Sequence, residues 1–224
     1  MSSFRRRAGD ASTFAFEVSF EPDPDQGAAA TPEESASWGS FAIWVDGQNL
    51  CAYSDGGRAT TATHWYLLPL LEWLAANWNP LLHESRLPVE NAGETAWESL
   101  GRTSMAQRPD LGVDSVMAWD GWWRRHSLRA CRQGGLFPDV VIRRWQDLIE
   151  VSWGESPLPG IPDGVRFVAG SGWARLPVAG VCDAIYAVLT ETVADLAERL
   201  PDSTRLAALQ AEVKKLKAPQ PEVR

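Results

Sequence analysis

The heptapeptide Phe14-Ala15-Phe16-Glu17-Val18-Ser19-Phe20 carries a large apolar side chain at every second position. Period two puts those four on one face of an extended strand and Ala15, Glu17 and Ser19 on the other, so the chain must supply a core to one side of a sheet. A second constraint lies far downstream. Val178, Val181, Cys182, Ile185, Leu189, Thr192 and Leu196 recur at helical spacing behind Pro177, with Asp183, Glu191, Asp195 and Glu198 outside the stripe. An all-helical and an all-strand fold are both excluded. The expected class is α+β, with antiparallel hairpins or a meander packed with about five helices and a helical C-terminus.

The remaining elements follow from local signals. Trp38–Val45 and Leu50–Tyr53 flank Asp46-Gly47-Gln48-Asn49, a hairpin turn, and with 14–20 they predict a three-stranded meander. The acidic, Pro-bearing stretch 21–37 reads as a mobile loop. A helix is expected over Tyr66–Asn79, with Pro69 in its first turn and Pro80 ending it, and a short one over Glu94–Leu100. A longer helix, Asp114–Gln133, should stop at Gly134-Gly135. Strands Val140–Trp145 and Leu148–Trp153 turn at Gln146-Asp147, and Val165–Val168 is expected to pair with Trp173–Leu176. Residues 1–201 are expected to form one domain and 202–224 a C-terminal helix and tail. Its Leu206, Leu209, Val213 and Leu216 recur at seam spacing, as an interaction helix for this domain or for a partner subunit.

Composition narrows the function classes. Twenty-nine acids against 21 Lys and Arg leave a net charge of −8, which argues against a surface that coats nucleic acid or anionic membrane as a whole. Arg5-Arg6-Arg7 is followed by small and polar residues rather than an apolar segment, so no export signal is expected. The longest uncharged apolar-rich run, Ala59–Leu71, is too short to cross a bilayer. Cys51, Cys131 and Cys182 lack disulfide or zinc spacing, and the expected compartment is the reducing cytoplasm.

One region departs from the acidic balance. Residues 121–146 hold Arg124, Arg125, Arg129, Arg132, Arg143 and Arg144 against the single acid Asp139. On a continuous helix, Val113, Val116, Trp119, Trp123, Leu128, Ala130 and Cys131 fall on one core arc. Arg125, Arg129 and Arg132 then fall opposite, flanked by Trp122 and His126, while Arg124 lies inside the arc and needs a buried partner. Such a stripe, with Arg143 and Arg144 added, can dock phosphates or an acidic protein and offer Trp122 for stacking. The plainer reading is neutralisation by acids of the same chain, those of the 21–34 loop among them. Of the 12 Trp, seven (Trp38, Trp44, Trp65, Trp73, Trp78, Trp119, Trp123) have core-filling contexts, and Trp122 alone falls off the core arc.

Enzyme motifs are sparse. His83-Glu84-Ser85-Arg86-Leu87 has Leu where a zincin needs its second His, and there is neither a Gly-x-Ser-x-Gly elbow nor a phosphate-binding Gly loop. Pro138-Asp139, ten residues, then Glu150-Val151-Ser152 resembles the PD-(D/E)xK nuclease signature with Ser152 in place of its Lys. That resemblance implies Asp139 and Glu150 as Mg²⁺ ligands of an active or degenerate nuclease. Outside this alternative no cofactor is expected.

Three stretches resemble the non-catalytic N-terminal module of bacterial proteins that end in an ImmA/IrrE-type metallopeptidase. They are Trp38–Leu50 with Ile43-Trp44-Val45-Asp46-Gly47-Gln48-Asn49-Leu50; His64-Trp65-Tyr66-Leu67-Leu68-Pro69-Leu70-Leu71-Glu72-Trp73-Leu74; and Trp123-Arg124-Arg125-His126-Ser127-Leu128 through Gly134-Gly135-Leu136-Phe137-Pro138 to Val151-Ser152-Trp153. The similarity spans roughly residues 38–200 and, with the peptidase motif missing, carries no catalytic residue over. It implies a non-enzymatic recognition or accessory module in a bacterial stress or phage-defence system. Its partner would be a protein in a larger complex, with nucleic acid as the other ligand of the basic patch.

Overall fold

The computed structural model describes residues 5–24, 31–88, 93–102, 112–132, 135–154 and 164–216. In chain order the first half holds β1 (Arg5–Asp10), β2 (Phe14–Phe20), α1 (Pro32–Ala36), β3 (Trp38–Val45), β4 (Gln48–Asn49), β5 (Tyr53–Asp55), β6 (Arg58–Thr60), β7 (Thr63–Tyr66), α2 (Leu67–Ala76) and α3 (Trp78–His83). The second half holds α4 (Ala96–Arg102), α5 (Val113–His126), a 3-10 turn at Leu128–Cys131, β8 (Asp139–Trp145), β9 (Leu148–Gly154), β10 (Val165–Phe167), β11 (Gly172–Pro177), α6 (Val178–Arg199) and α7 (Thr204–Val213). The fold is α+β, and among the described residues every strand pair is antiparallel.

The alternating strand β2 lies between β1, an edge strand, and β3, the hub of a five-stranded sheet, which pairs also with β4 and β7. Phe14, Phe16, Val18 and Phe20 are buried as the period-two pattern predicts, and α6 packs over β1 and β2 on that face. Gly9, at φ +91°, makes the close approach possible, because a Cβ there would lie 2.3 Å from the Phe14 carbonyl and 2.8 Å from Ala184 Cβ. Asp46 and Gly47 have φ of 48° and 75°, the paired positive values of a tight hairpin, so the β3–β4 turn falls where Asp-Gly places it.

A second sheet, ordered β11-β9-β8, turns at Gln146-Asp147 and turns its apolar face, with Ile142, Ile149, Val151 and Leu176, into the same core. A third, β10-β5-β6, is short. The α6 stripe forms as spaced: Val181, Cys182, Ile185, Leu189, Thr192 and Leu196 are all buried. Among the described residues, no helix is long and apolar enough to cross a membrane.

Several expectations are corrected. Residues 50–53 do not form a strand of the meander; Leu50 and Cys51 turn into the core, and Tyr53–Asp55 pairs with β10. Val165–Phe167 therefore does not pair with 173–176, which joins β9 instead. Pro80 opens α3 rather than ending a helix, since its missing amide falls in that helix's first turn. Residues 32–36, within the expected loop, form α1, capped reciprocally by Thr31 and Glu34. Of the two uses expected of the last helix, docking on this domain is the one α7 takes. Leu206, Leu209 and Val213 are buried in the chain's own core, Leu216 packs against it, and Arg205 grips Glu72 of α2 at 2.7 and 2.8 Å.

Candidate functional site

The basic stripe is broken where the single helix was expected to continue. Ser127 is extended (ψ 126°), so α5 ends at His126 and the 3-10 turn carries Leu128–Cys131 on a different phase. The face therefore reverses. Trp122 is fully buried, stacked on His126 at 4.1 Å and on Trp119 at 5.9 Å, whereas Val113 of the expected core arc is 74% exposed. A ring with no exposed surface cannot stack on a ligand. The cations are taken as well. Arg125 makes a bidentate bridge to Glu84 (2.8 and 3.0 Å), buried Arg129 lies 4.0 Å from Asp139, and Arg143 holds Glu150 at 3.1 and 3.2 Å. Arg132 is half-buried, and Arg144 donates to the Gln146 carbonyl. Arg124 is exposed and pairs with Asp120 one turn earlier, not with a buried carboxylate. Neutralisation within the chain is thus the reading the geometry follows, but through Glu84, Asp139 and Glu150 rather than the 21–34 loop.

The nuclease-like spacing has a different use. Asp139 and Glu150 lie on one face of the β8–β9 hairpin, yet Glu150 is opposite Arg143, four residues along the strand from Asp139. That separates their backbones by about 13 Å, too far to share an ion. Each carboxylate instead holds α4. Glu150 accepts the Ala96 amide at 2.7 Å, Ser152 Oγ accepts the Trp97 amide at 3.1 Å, and Asp139 accepts the Trp97 indole N–H at 3.1 Å. Strand side chains here satisfy amides that α4 leaves open in its first turn. Gly154 leaves room for the indole, since a Cβ there would lie 2.3 Å from it. Among the described residues, no group of three His, Cys, Asp or Glu is placed to hold a metal. Burial pushes the thiols of Cys51, Cys131 and Cys182 up to about 12, which keeps them protonated and poor nucleophiles.

The polar face of the five-stranded sheet is different. It carries a cleft of about 250 Å³ lined by Arg5, Glu17, Ser19, Glu21, Ser40 and His64, with Ala42, Thr61 and Ala62 among the rest. Strand register explains the assembly: Arg5 is opposite Ser19, Ser19 opposite Ser40, and Ser40 opposite His64, one row across β1, β2, β3 and β7. Glu17, 3% exposed, is held by Arg7 (2.7 and 3.0 Å) and paired with Arg5. Arg7 also lies over the Trp44 ring at 5.3 Å. Ser40 donates to Glu21 Oε1 at 2.8 Å, and His64 Nε2 is 3.5 Å from Glu21 Oε2. The carboxylate, not the imidazole, is central, so His64 is not placed to take the Ser40 proton as in a hydrolytic triad. The arrangement suits binding.

No residue of this cleft was singled out from the sequence. The signal was present in the second half of each alternation, where Ala15, Glu17 and Ser19, and then Ser40 and Ala42, give small or polar side chains between large apolar ones. No family model matches the chain, and neither a curated protein nor a solved structure does.

Two outcomes test these assignments. Glu150→Ala leaves Arg143 buried without its carboxylate and α4 without its anchor, and should cost about 3–5 kcal/mol in urea unfolding; a loss below about 1 kcal/mol would contradict the anchoring role. His126 gives a pH dependence. Burial pushes its imidazole below the ordinary 6.5, against the Ile142 carbonyl (2.7 Å from Nδ1) and the Glu84 carboxylate that hold it up. Burial raises Glu84, but the Arg125 and His126 hydrogen bonds reverse this and leave it below the ordinary carboxyl value. The unfolded chain then binds the His126 proton first on acidification, so stability should fall as pH drops below 6.5, and further as Glu84 protonates. His126→Phe should flatten the slope between about pH 6.5 and 5, and an unchanged slope would contradict the assignment.

Proposed function

We propose that this chain is a recognition module that binds a small polar ligand in the cleft on the polar face of its five-stranded sheet. The observation that carries the reading is the Arg5–Ser19–Ser40–His64 row, four hydrogen-bonding side chains brought into register along one cavity. A concave site with a few convergent polar groups is the usual form of a small-molecule site. The resemblance over residues 38–200 supports placing the module in a bacterial stress or phage-defence system, as an accessory subunit that passes ligand occupancy to a protein partner. Three buried, free thiols support a cytoplasmic setting.

Thr61 is exposed at the rim, so Thr61→Trp should obstruct the cleft without disturbing the core. The low-molecular-weight fraction of a bacterial extract should raise the melting temperature of the natural chain, by about 2–4 °C per kcal/mol of linkage, and leave Thr61→Trp unmoved. An equal rise in both proteins, or no rise in either, would overturn the reading.

A further inference from the structure

We infer that the ligand of this cleft is a linear zwitterion of about dipeptide size, with its ammonium on Glu21 and its carboxylate on Arg5. The inference rests on the reading of the cleft as a small-ligand site, and the charge distribution carries it further. At the β1 end, two guanidiniums, Arg5 and Arg7, face the one carboxylate of Glu17, which leaves one positive charge unmatched. The Arg5 side chain is 60% exposed, so its remaining N–H groups are open to an acceptor. At the other end Glu21 accepts a hydroxyl hydrogen bond from Ser40, and 3.5 Å from it lies His64 Nε2, charged only when protonated. A carboxylate offers about four acceptor sites, so an ammonium finds room there.

The floor between these ends fixes the ligand's length. Ser19 and Ser40 are 8% and 9% exposed and lie between Arg5 and His64 in the row. Ser19 lines the cleft, and its hydroxyl can both donate to and accept from a ligand. Glu21 follows the last residue of β2 and lies two residues along from Ser19, the partner of Arg5, so the two backbones are one strand spacing and two residues apart, about 8 Å, which is too long for the two charges of a free α-amino acid. A dipeptide spans it with its amide over the two hydroxyls. The cavity's roughly 250 Å³ is the space of about eight waters, enough for such a molecule.

Calorimetry on the full chain with Ala-Ala, N-acetyl-Ala-Ala, Ala-Ala amide and alanine tests this. Ala-Ala should bind, and blocking either terminus should weaken it about ten- to hundredfold, the worth of one charged hydrogen-bonded contact. Alanine should bind more weakly than Ala-Ala. In Glu21→Gln the free and acetylated peptides should bind alike, and in Arg5→Gln the free and amidated ones; both positions are partly exposed, so these variants should fold. Equal binding of blocked and free peptides, or no binding of Ala-Ala, would overturn the zwitterion. The cleft reading would survive that result if the extract still stabilised the natural chain and not Thr61→Trp, and would fall with it if the extract did neither.

Discussion

A glutamate in the middle of a sheet, 3% exposed, is the constraint around which the first half of the molecule is organised. Ionised and alone at that depth, Glu17 would be strongly unfavourable. Arg5 and Arg7 resolve the difficulty, and both come from β1, so the pairing of β1 with β2 and the neutralisation of Glu17 are one event. Arg6, whose neighbours point to the cleft side, reaches instead to Glu191 and Asp195 of α6. The basic triplet thus joins the sheet to its covering helix on one face and closes the polar cleft on the other.

The second half repeats the device. Glu150 is fully buried between Arg143 and Arg175 and accepts the first amide of α4. Arg175 is in turn held over the rings of Trp145 and Trp173 at 4.3 and 4.7 Å. A row of Arg, Glu and Arg across three strands replaces an apolar contact and fixes where α4 docks. Acids that look like metal ligands in the linear sequence are here receptors for a helix. The same separation of charge from chemistry explains why a basic segment does not produce a basic surface.

What was legible in the sequence was whatever depended on local period. The β2 alternation, the Asp46-Gly47 turn, the β8–β9 hairpin and the α6 stripe each rest on residues close in sequence. What failed depended on distant partners or on one backbone angle. β10 finds β5 across more than a hundred residues, and nothing local in either strand encodes that pairing. The α5 face was misread because Leu128, Ala130 and Cys131 set the phase of a helix that had already ended at His126. Trp122 and His126, one turn apart, are the residues that α5 buries. The cleft was hidden for another reason: its residues come from four strands, and only their register, Arg5 to Ser19 to Ser40 to His64, brings them together.

The central claim is that ligand recognition belongs to the polar face of the five-stranded sheet and not to the basic segment, whose charges the chain satisfies internally. Amide chemical-shift mapping of the full chain against the low-molecular-weight extract tests it most directly. The account predicts perturbations confined to 17–21, 40–42 and 61–64, with Arg5 at the edge of the set. Perturbations centred on 122–132 and 143–144, with the sheet face silent, would contradict it.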